Sequence, residues 1–257
     1  MDRWLGRFKQ SRGGQGVRNP IFDLPDIGWQ GFLNLIFKQT CALCRQVADE
    51  PLCPDCQARI KQHRRPLPRK PVEVLAWGTY QAELREAIAA LKYRNNPQVA
   101  QLLGGWLGAA WRASPMVKSR PIVIPIPMNP EKRRDRGFDQ AELLARSFSH
   151  YARLPYCARG LVRVKSTQPL YNLGPRERQQ TLKDAFALGP AFRRRPPQRP
   201  VLLIDDIFTT GATAKTATTL LRQHNIQVQG MVVLAVTPRK TSKTASKTVQ
   251  TKAQPRP

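Results

Sequence analysis

The residues best placed to do chemistry stand together in V-L-L-I-D-D-I-F-T-T-G-A-T, residues 201–213. An apolar run ends in two adjacent carboxylates, Asp205 and Asp206. A short loop of Thr209, Thr210, Gly211, Ala212 and Thr213 then leads into a helical pattern. A continuous apolar run of this length reads as a strand buried on both faces. In an open parallel sheet, ligands sit beyond the carboxyl ends of the strands. There the two acids can accept hydrogen bonds from sugar hydroxyls, and Gly211 lets the backbone come close to a ligand. The loop amides and the hydroxyls of Thr209, Thr210 and Thr213 can surround a phosphate at the helix N-terminus. Carboxylates next to a phosphate repel it, so a polyol between them makes sense of the pattern, and the expected ligand is a sugar phosphate. The plainer alternative is a strand end with two solvated acids and a Thr-rich cap. Two rival phosphate motifs fail. Ala214 replaces the glycine that a Walker A loop has before its lysine, and no G-x-G-x-x-G follows a strand.

A second constellation is C-A-L-C at 41–44 followed, eight residues later, by C-P-D-C at 53–56. Two CxxC knuckles this close suit one tetrahedral thiolate site formed by Cys41, Cys44, Cys53 and Cys56, with Zn²⁺ as the expected metal. Arg59, Lys61, Arg64 and Arg65 follow and would help to keep the thiols ionised. A closed four-sulfur site leaves no position for a substrate, so its expected role is structural. The alternatives are two disulfides or two redox pairs. The first residues are basic but lead into no apolar core with a cleavage site, so no secretory signal is expected. A reducing cytoplasmic compartment then disfavours disulfides. Cys157 stands alone and reads as a small packed side chain.

These residues need elements to hold them. Val72–Gly78 reads as a strand. Ala82–Tyr93 places Leu84, Ala87, Ile88 and Leu91 on one helical face, and Gln98–Trp111 does the same with Val99, Leu102, Leu103, Trp106 and Ala110. Pro121–Pro127 is a β-branched run. Asp139 with Glu142 reads as a capping box, opening a helix that carries Leu144, Phe148 and Tyr151. Thr213–His224 reads as a helix with Ala217, Leu220 and Leu221 inward, and Met231–Val236 as a buried strand. This alternation argues for a parallel α/β sheet. Residues 63–71, H-R-R-P-L-P-R-K-P, read as a Pro-rich basic connector and a domain boundary. The organisation expected is a loose N-terminal extension at 1–37, a four-cysteine zinc module at 38–65, an α/β domain at 72–238 and a disordered basic tail at 239–257.

The 257 residues carry 43 Lys and Arg against 17 Asp and Glu, a net charge of +26. Such an excess suits an acidic substrate, a nucleic acid or an anionic surface, and equally plain solubility. No apolar run approaches the ~20 residues that cross a bilayer. Aromatic residues are only 7% of the chain, thin for base stacking along a single strand.

Residues 201–213 resemble the phosphoribosyl-pyrophosphate (PRPP) motif of type I phosphoribosyltransferases. The neighbouring segments sharpen the resemblance to the ComF family, in which a zinc knuckle accompanies such a domain. They are the two cysteine knuckles, Y-Q-A-E-L-R-E-A-I-A-A-L-K-Y at 80–93, P-I-P-M-N-P-E-K-R-R-D-R-G-F-D-Q-A-E-L-L-A at 125–145 and T-Q-P-L-Y-N-L-G-P-R-E-R at 167–178. The resemblance implies a type I phosphoribosyltransferase-like parallel sheet flanked by helices, with a small N-terminal zinc-knuckle module. It implies that Asp205 and Asp206 bind the ribose hydroxyls of PRPP and that residues 209–213 hold its 5′-phosphate. Lys132, Arg134 and Arg136 would face pyrophosphate. Residues 163–181 would form a flap over the reacting ribose, with Arg163, Lys165 and Thr167 as contacts. The implied chemistry is Mg²⁺-assisted displacement of pyrophosphate by a nitrogen nucleophile. The family's association with competence adds single-stranded DNA and a helicase as expected partners. Non-catalytic nucleic-acid interaction and PRPP sensing are the alternatives to turnover. Three positions depart from the family pattern: Asp139 where Asn is usual, Leu170 where Gln is usual and Thr181 where Asn is usual. His63, His150 and His224 fall outside these motifs, and no catalytic histidine is expected.

Overall fold

The structure, a computed structural model, describes residues 39–62, 64–69, 73–94, 96–164 and 185–238. In chain order its elements begin with β1 (Gln39–Thr40), β2 (Val47–Ala48), α1 (Pro54–Gln62), β3 (Arg64–Arg69), β4 (Val74–Thr79) and α2 (Ala82–Tyr93). Next come α3 (Gln98–Arg112), β5 (Ile122–Pro125), α4 (Pro130–Arg136), α5 (Gln140–Ala152) and β6 (Leu161–Arg163). The last are β7 (Phe186–Leu188), α6 (Pro190–Arg194), β8 (Val201–Phe208), α7 (Ala212–Gln223) and β9 (Val228–Val236).

Five strands form the main sheet in the order β3-β4-β9-β8-β5. β4, β9, β8 and β5 run parallel to one another. β3 is antiparallel to β4. Segment 63–71, expected as a connector, thus supplies a strand at 64–69. Pro66 and Pro68 have no N–H to donate, and an edge strand tolerates that because one of its sides needs no partner. The Pro and Arg content hid the strand because it obeys edge rules and not the apolar run of a central strand.

The central strands are buried on both faces, as their sequence requires. Leu202 and Ile204 of β8 join Val232 and Leu234 of β9 on one face, against α1, α2, α3 and α5. Val201 and Leu203 join Met231 and Val233 on the other, with β7, α6 and α7. Each such side chain contributes about 1.5–3 kcal/mol by leaving water. The period of two has a direct consequence at the strand end. Asp205 continues the second face and Asp206 the first, so the two adjacent carboxylates point to opposite sides of the sheet.

The helices obey the apolar stripes. Leu84, Ala87, Ile88 and Leu91 of α2 are fully buried, as are Val99 and Leu103 of α3 and Leu144 and Phe148 of α5. Tyr151 stays half exposed. α3 crosses α5 closely because glycines lie at the crossing. A Cβ on Gly104 would meet Ser147 Cβ at 2.6 Å, and one on Gly108 would meet Tyr151 Cβ at 2.8 Å. The cysteine module joins the same core. Cys41, Leu52, Cys56 and Ile60 pack in one cluster with Leu84 and Ile88. Lys61 lies over the Trp106 ring, 5.1 Å from its centre, and Trp106 stacks on Trp77. β6 and β7 form a separate antiparallel ribbon. Residues 165–184, which contain Lys165, Thr167, Leu170 and Thr181, lie outside the described residues.

Candidate functional site

The carboxyl ends of β5 and β8 open into a cleft of about 190 Å³. Asp205, Thr213, Asn129, Lys132, Asp139, Gln140 and Arg163 line it, with Ile126 and Met128 among its apolar walls. Five elements therefore meet here: the end of β8, the start of α7, the β5–α4 turn, the start of α5 and the end of β6.

Gly211 makes the turn into α7. Its φ of +79° lies in the left-handed region, and a Cβ there would come within 2.6 Å of the Phe208 ring. The N-cap residue of α7, Gly211, has no side chain to cap the helix. Its N-terminal end therefore presents backbone N–H groups and the positive end of the helix dipole beside Thr213, the chemistry that suits a phosphate. Thr209 and Thr210 are exposed on the same loop, and Thr210 Oγ1 accepts from Ala212 N at 3.4 Å.

The segment after β5, which carries Lys132, Arg134 and Arg136, is a short helix. Asn129 caps it by accepting from Glu131 N at 2.9 Å, Pro130 occupies its first turn, and Gly137 ends it at φ +78°. N-P-E at the start and Gly at the end are the sequence signal for it. The helix turns Lys132 into the cleft, while Arg134 and Arg136 line an adjoining bowl of about 660 Å³ with Lys92, Tyr93 and Lys132. Burial, Arg163, Arg136 and Lys92 all push the Lys132 ammonium below its usual range. Burial also lowers the Arg163 guanidinium, opposed by the charge of Asp205. Crowded cations of this kind are eased by an anion between them.

Asp139 joins the cleft walls. Its Oδ1 caps α5 by accepting from Ala141 N and Glu142 N at 2.9 and 3.1 Å, and its Oδ2 accepts from Met128 N at 3.0 Å. Three backbone donors need two acceptor oxygens. An asparagine would turn its NH₂ toward one of them, so the acid at this position answers to local geometry. Burial raises its carboxyl above the usual range.

The two strand-end acids differ sharply. Asp205 faces the cleft, and burial followed by the neighbouring charge of Asp206 pushes its carboxyl well above the usual range. Asp206 is 5% exposed. Its Oδ2 lies 2.7 Å from Lys92 Nζ of α2 and accepts from Gln140 Nε2 of α5 at 3.0 Å. Burial pulls the Lys92 ammonium down, and the charge of Asp206 more than restores it, so the result lies above its usual range. Sequence reasoning missed Lys92 and Gln140. The signal was there for Lys92: it stands four residues after Ile88, a lone charge on the apolar face of α2.

The cysteines converge as their spacing predicts. β1 and β2 pair as a tiny hairpin, Gln39 opposite Ala48, whose turn carries Cys41 and Cys44. Cys53 precedes α1 and Cys56 lies in its first turn. All four Sγ atoms lie within 4.8 Å of one another, and Cys44 Sγ is 3.6 Å from Cys53 Sγ. Zn–S bonds of about 2.3 Å place tetrahedral sulfurs about 3.8 Å apart. The four thiols, none of them in a disulfide, therefore fit one zinc ion. Arg59 donates to Cys56 Sγ at 3.5 Å, a charge that favours thiolate. Cys157 is half-buried and apart from this group. Among the described residues, no helix is long and apolar enough to cross a membrane.

No family model matches the chain. Competence protein F of Haemophilus influenzae is 28% identical over 224 residues, covering 82% of this chain and 97% of its own. DNA utilization protein YhgH of Escherichia coli O6:H1 is 27% identical over 74% of this chain and 87% of its own. Competence protein ComFC of Bacillus subtilis is 24% identical over 70% of each. Among solved structures, adenine phosphoribosyltransferase from Rhodothermus marinus is 15% identical and covers 71% of this chain and 86% of its own, at a TM-score of 0.37. The allosteric regulatory enzyme of purine biosynthesis is 18% identical at a TM-score of 0.33, covers 54% of this chain, and is spanned by it over only 26% of its length. The homologues of this chain are thus proteins named for competence and DNA utilization: competence protein F, ComFC and YhgH.

Proposed function

We propose that this chain is a PRPP-binding, phosphoribosyltransferase-like protein of the ComF type that works in the use of incoming DNA. The observation that carries the reading is the cleft itself. The Asp205 carboxylate, the N-terminal end of α7 and two crowded cations, Lys132 and Arg163, face each other across a space of about 190 Å³. In this reading Asp205, with Asp206 behind it, recognises the ribose hydroxyls. Thr209, Thr210, Gly211, Ala212 and Thr213 hold the 5′-phosphate. Lys132, Arg134 and Arg136 meet pyrophosphate, and Arg163, with Lys165 and Thr167, closes over the sugar. PRPP enters as its magnesium complex. A nitrogen nucleophile forms a bond to the anomeric carbon as the bond to the pyrophosphate oxygen breaks. The pyrophosphate leaves with its electron pair, and the nitrogen loses its proton to solvent. Positioning and neutralisation of the leaving group supply the acceleration, and no side-chain nucleophile is needed. The four cysteines hold a structural zinc, and a reducing cytoplasm keeps them as thiols.

Titration calorimetry of the full chain with PRPP and Mg²⁺ tests the reading. The expected result is saturable 1:1 binding, and a folded protein that gives no heat would overturn it. Release of pyrophosphate on addition of nitrogen bases then separates turnover from PRPP sensing. The names of the homologues also favour a second reading, a non-catalytic partner of single-stranded DNA and a competence helicase. Steep salt dependence is common to all basic proteins. That reading therefore requires oligonucleotide affinity that survives removal of residues 241–257.

A further inference from the structure

The cleft residues account for Asp205 but not for the buried charge behind it. Asp206 and Lys92 are held at 2.7 Å, with side chains 7% and 16% exposed. A buried ion pair is a poor source of stability, because desolvating two charges offsets most of their attraction. Its cost calls for another use, and the contacts around it supply one. Oδ2 of Asp206, besides meeting Lys92, takes the amide of Gln140, whose Oε1 accepts from Arg136 at the end of α4. Arg136 in turn lies over the ring of Tyr93, 5.3 Å from its centre, and Tyr93 is the residue next to Lys92. The contacts close a ring: Lys92, Asp206, Gln140, Arg136, Tyr93 and back to Lys92 along the chain. It joins four elements, α2, β8, α5 and α4, and the last of these carries Lys132 into the cleft.

We infer that Lys92 is a positioning residue of the proposed site: it anchors Asp206 as the fixed point of a latch through Gln140 and Arg136, and the latch holds the basic helix α4 at the height where its cations meet pyrophosphate. This inference rests on the PRPP reading and deepens its pyrophosphate half. The helix that the phosphate loop at 209–213 opens, α7, packs on the face of the sheet opposite Asp206, and no residue of that loop belongs to the ring, so the two halves of the site can be separated by experiment.

The test is calorimetry of the full chain with three probes: PRPP with Mg²⁺, inorganic pyrophosphate with Mg²⁺, and inorganic phosphate. Wild-type protein that binds none of them overturns the PRPP reading before the latch is at issue. Given wild-type binding, Lys92→Met is expected to weaken PRPP and pyrophosphate at least tenfold and to leave inorganic phosphate within twofold. General loosening would weaken all three alike. Gln140→Leu cuts the latch one link further on and keeps the ion pair, so it remains informative if Lys92→Met fails to fold. It is expected to weaken PRPP and pyrophosphate in the same way, and the double variant is expected to be no worse than either single. Wild-type pyrophosphate affinity in Gln140→Leu, equal loss for all three probes, or losses that multiply in the double variant would each overturn the inference.

Discussion

Asp205 and Asp206 are neighbours in sequence and different in environment. A strand turns successive side chains to opposite faces, so Asp205 meets the cleft and Asp206 meets Lys92. Folding holds the Asp205 carboxyl well above its ordinary range. The folded chain therefore keeps a proton there that the unfolded chain releases, and stability falls as pH rises from the ordinary carboxylate range through that raised value. Asp205→Asn removes this loss. Without ligand it is expected to melt a few °C higher than wild type at pH 8, with the gap closing toward pH 4. The same variant is expected to weaken PRPP by about 10- to 100-fold, the worth of one hydrogen bond to a charged group at ~1.5–3 kcal/mol. Thermal melts across pH and calorimetry check the two halves. A variant that melts lower at pH 8 would show that the carboxylate is not strained.

At the scale of elements, the α3–α5 crossing sets where α5 begins, and α5 begins at the cleft with Asp139 and Gln140. Gly104 stands at the closest approach, and a methyl there meets Ser147. Gly104→Ala is expected to cost about 1–3 kcal/mol, the usual penalty of overpacking. Gly105 is a built-in control. The nearest atom to a Cβ there is Tyr151 Cδ2 at 3.8 Å, so Gly105→Ala is expected to gain up to ~1 kcal/mol from helix propensity. Urea unfolding of the two variants gives the comparison, and equal effects would remove the crossing from the account. The stripes on α2, α3 and α5 were legible because one apolar face is all a half-buried helix needs. β3 and α4 were not read as elements. β3 follows the rules of an edge, and α4 has no buried residue to give it a stripe.

At the scale of the molecule, the cysteine module is part of the main core, since Leu52, Cys56 and Ile60 share a cluster with Leu84 and Ile88. Arg94 Nη1, two residues past Lys92, donates to Ala42 O in the first knuckle at 2.9 Å. A zinc ion held by these cysteines would therefore stabilise more than its own knuckles. Metal analysis is expected to find one zinc per chain. Removal by a strong chelator, or Cys56→Ser, is expected to lower the melting temperature of the whole described domain by more than 10 °C in one transition. Two separate transitions would show that the module unfolds alone.

The sequence by itself determined the strand-loop-helix of 201–213, the convergence of the four cysteines and the faces of the long helices. Each of these is local: a run, a spacing or a period of 3.6 or 2 fixes it within a few turns of chain. Only the tertiary structure decided which carboxylate meets the cleft, which cations crowd it and what holds Asp206. Lys92 and Asp206 are 114 residues apart in the chain. Nothing in either segment specifies the other until the sheet brings the ends of α2 and β8 together, and a buried charge can be satisfied only by the partner that packing delivers.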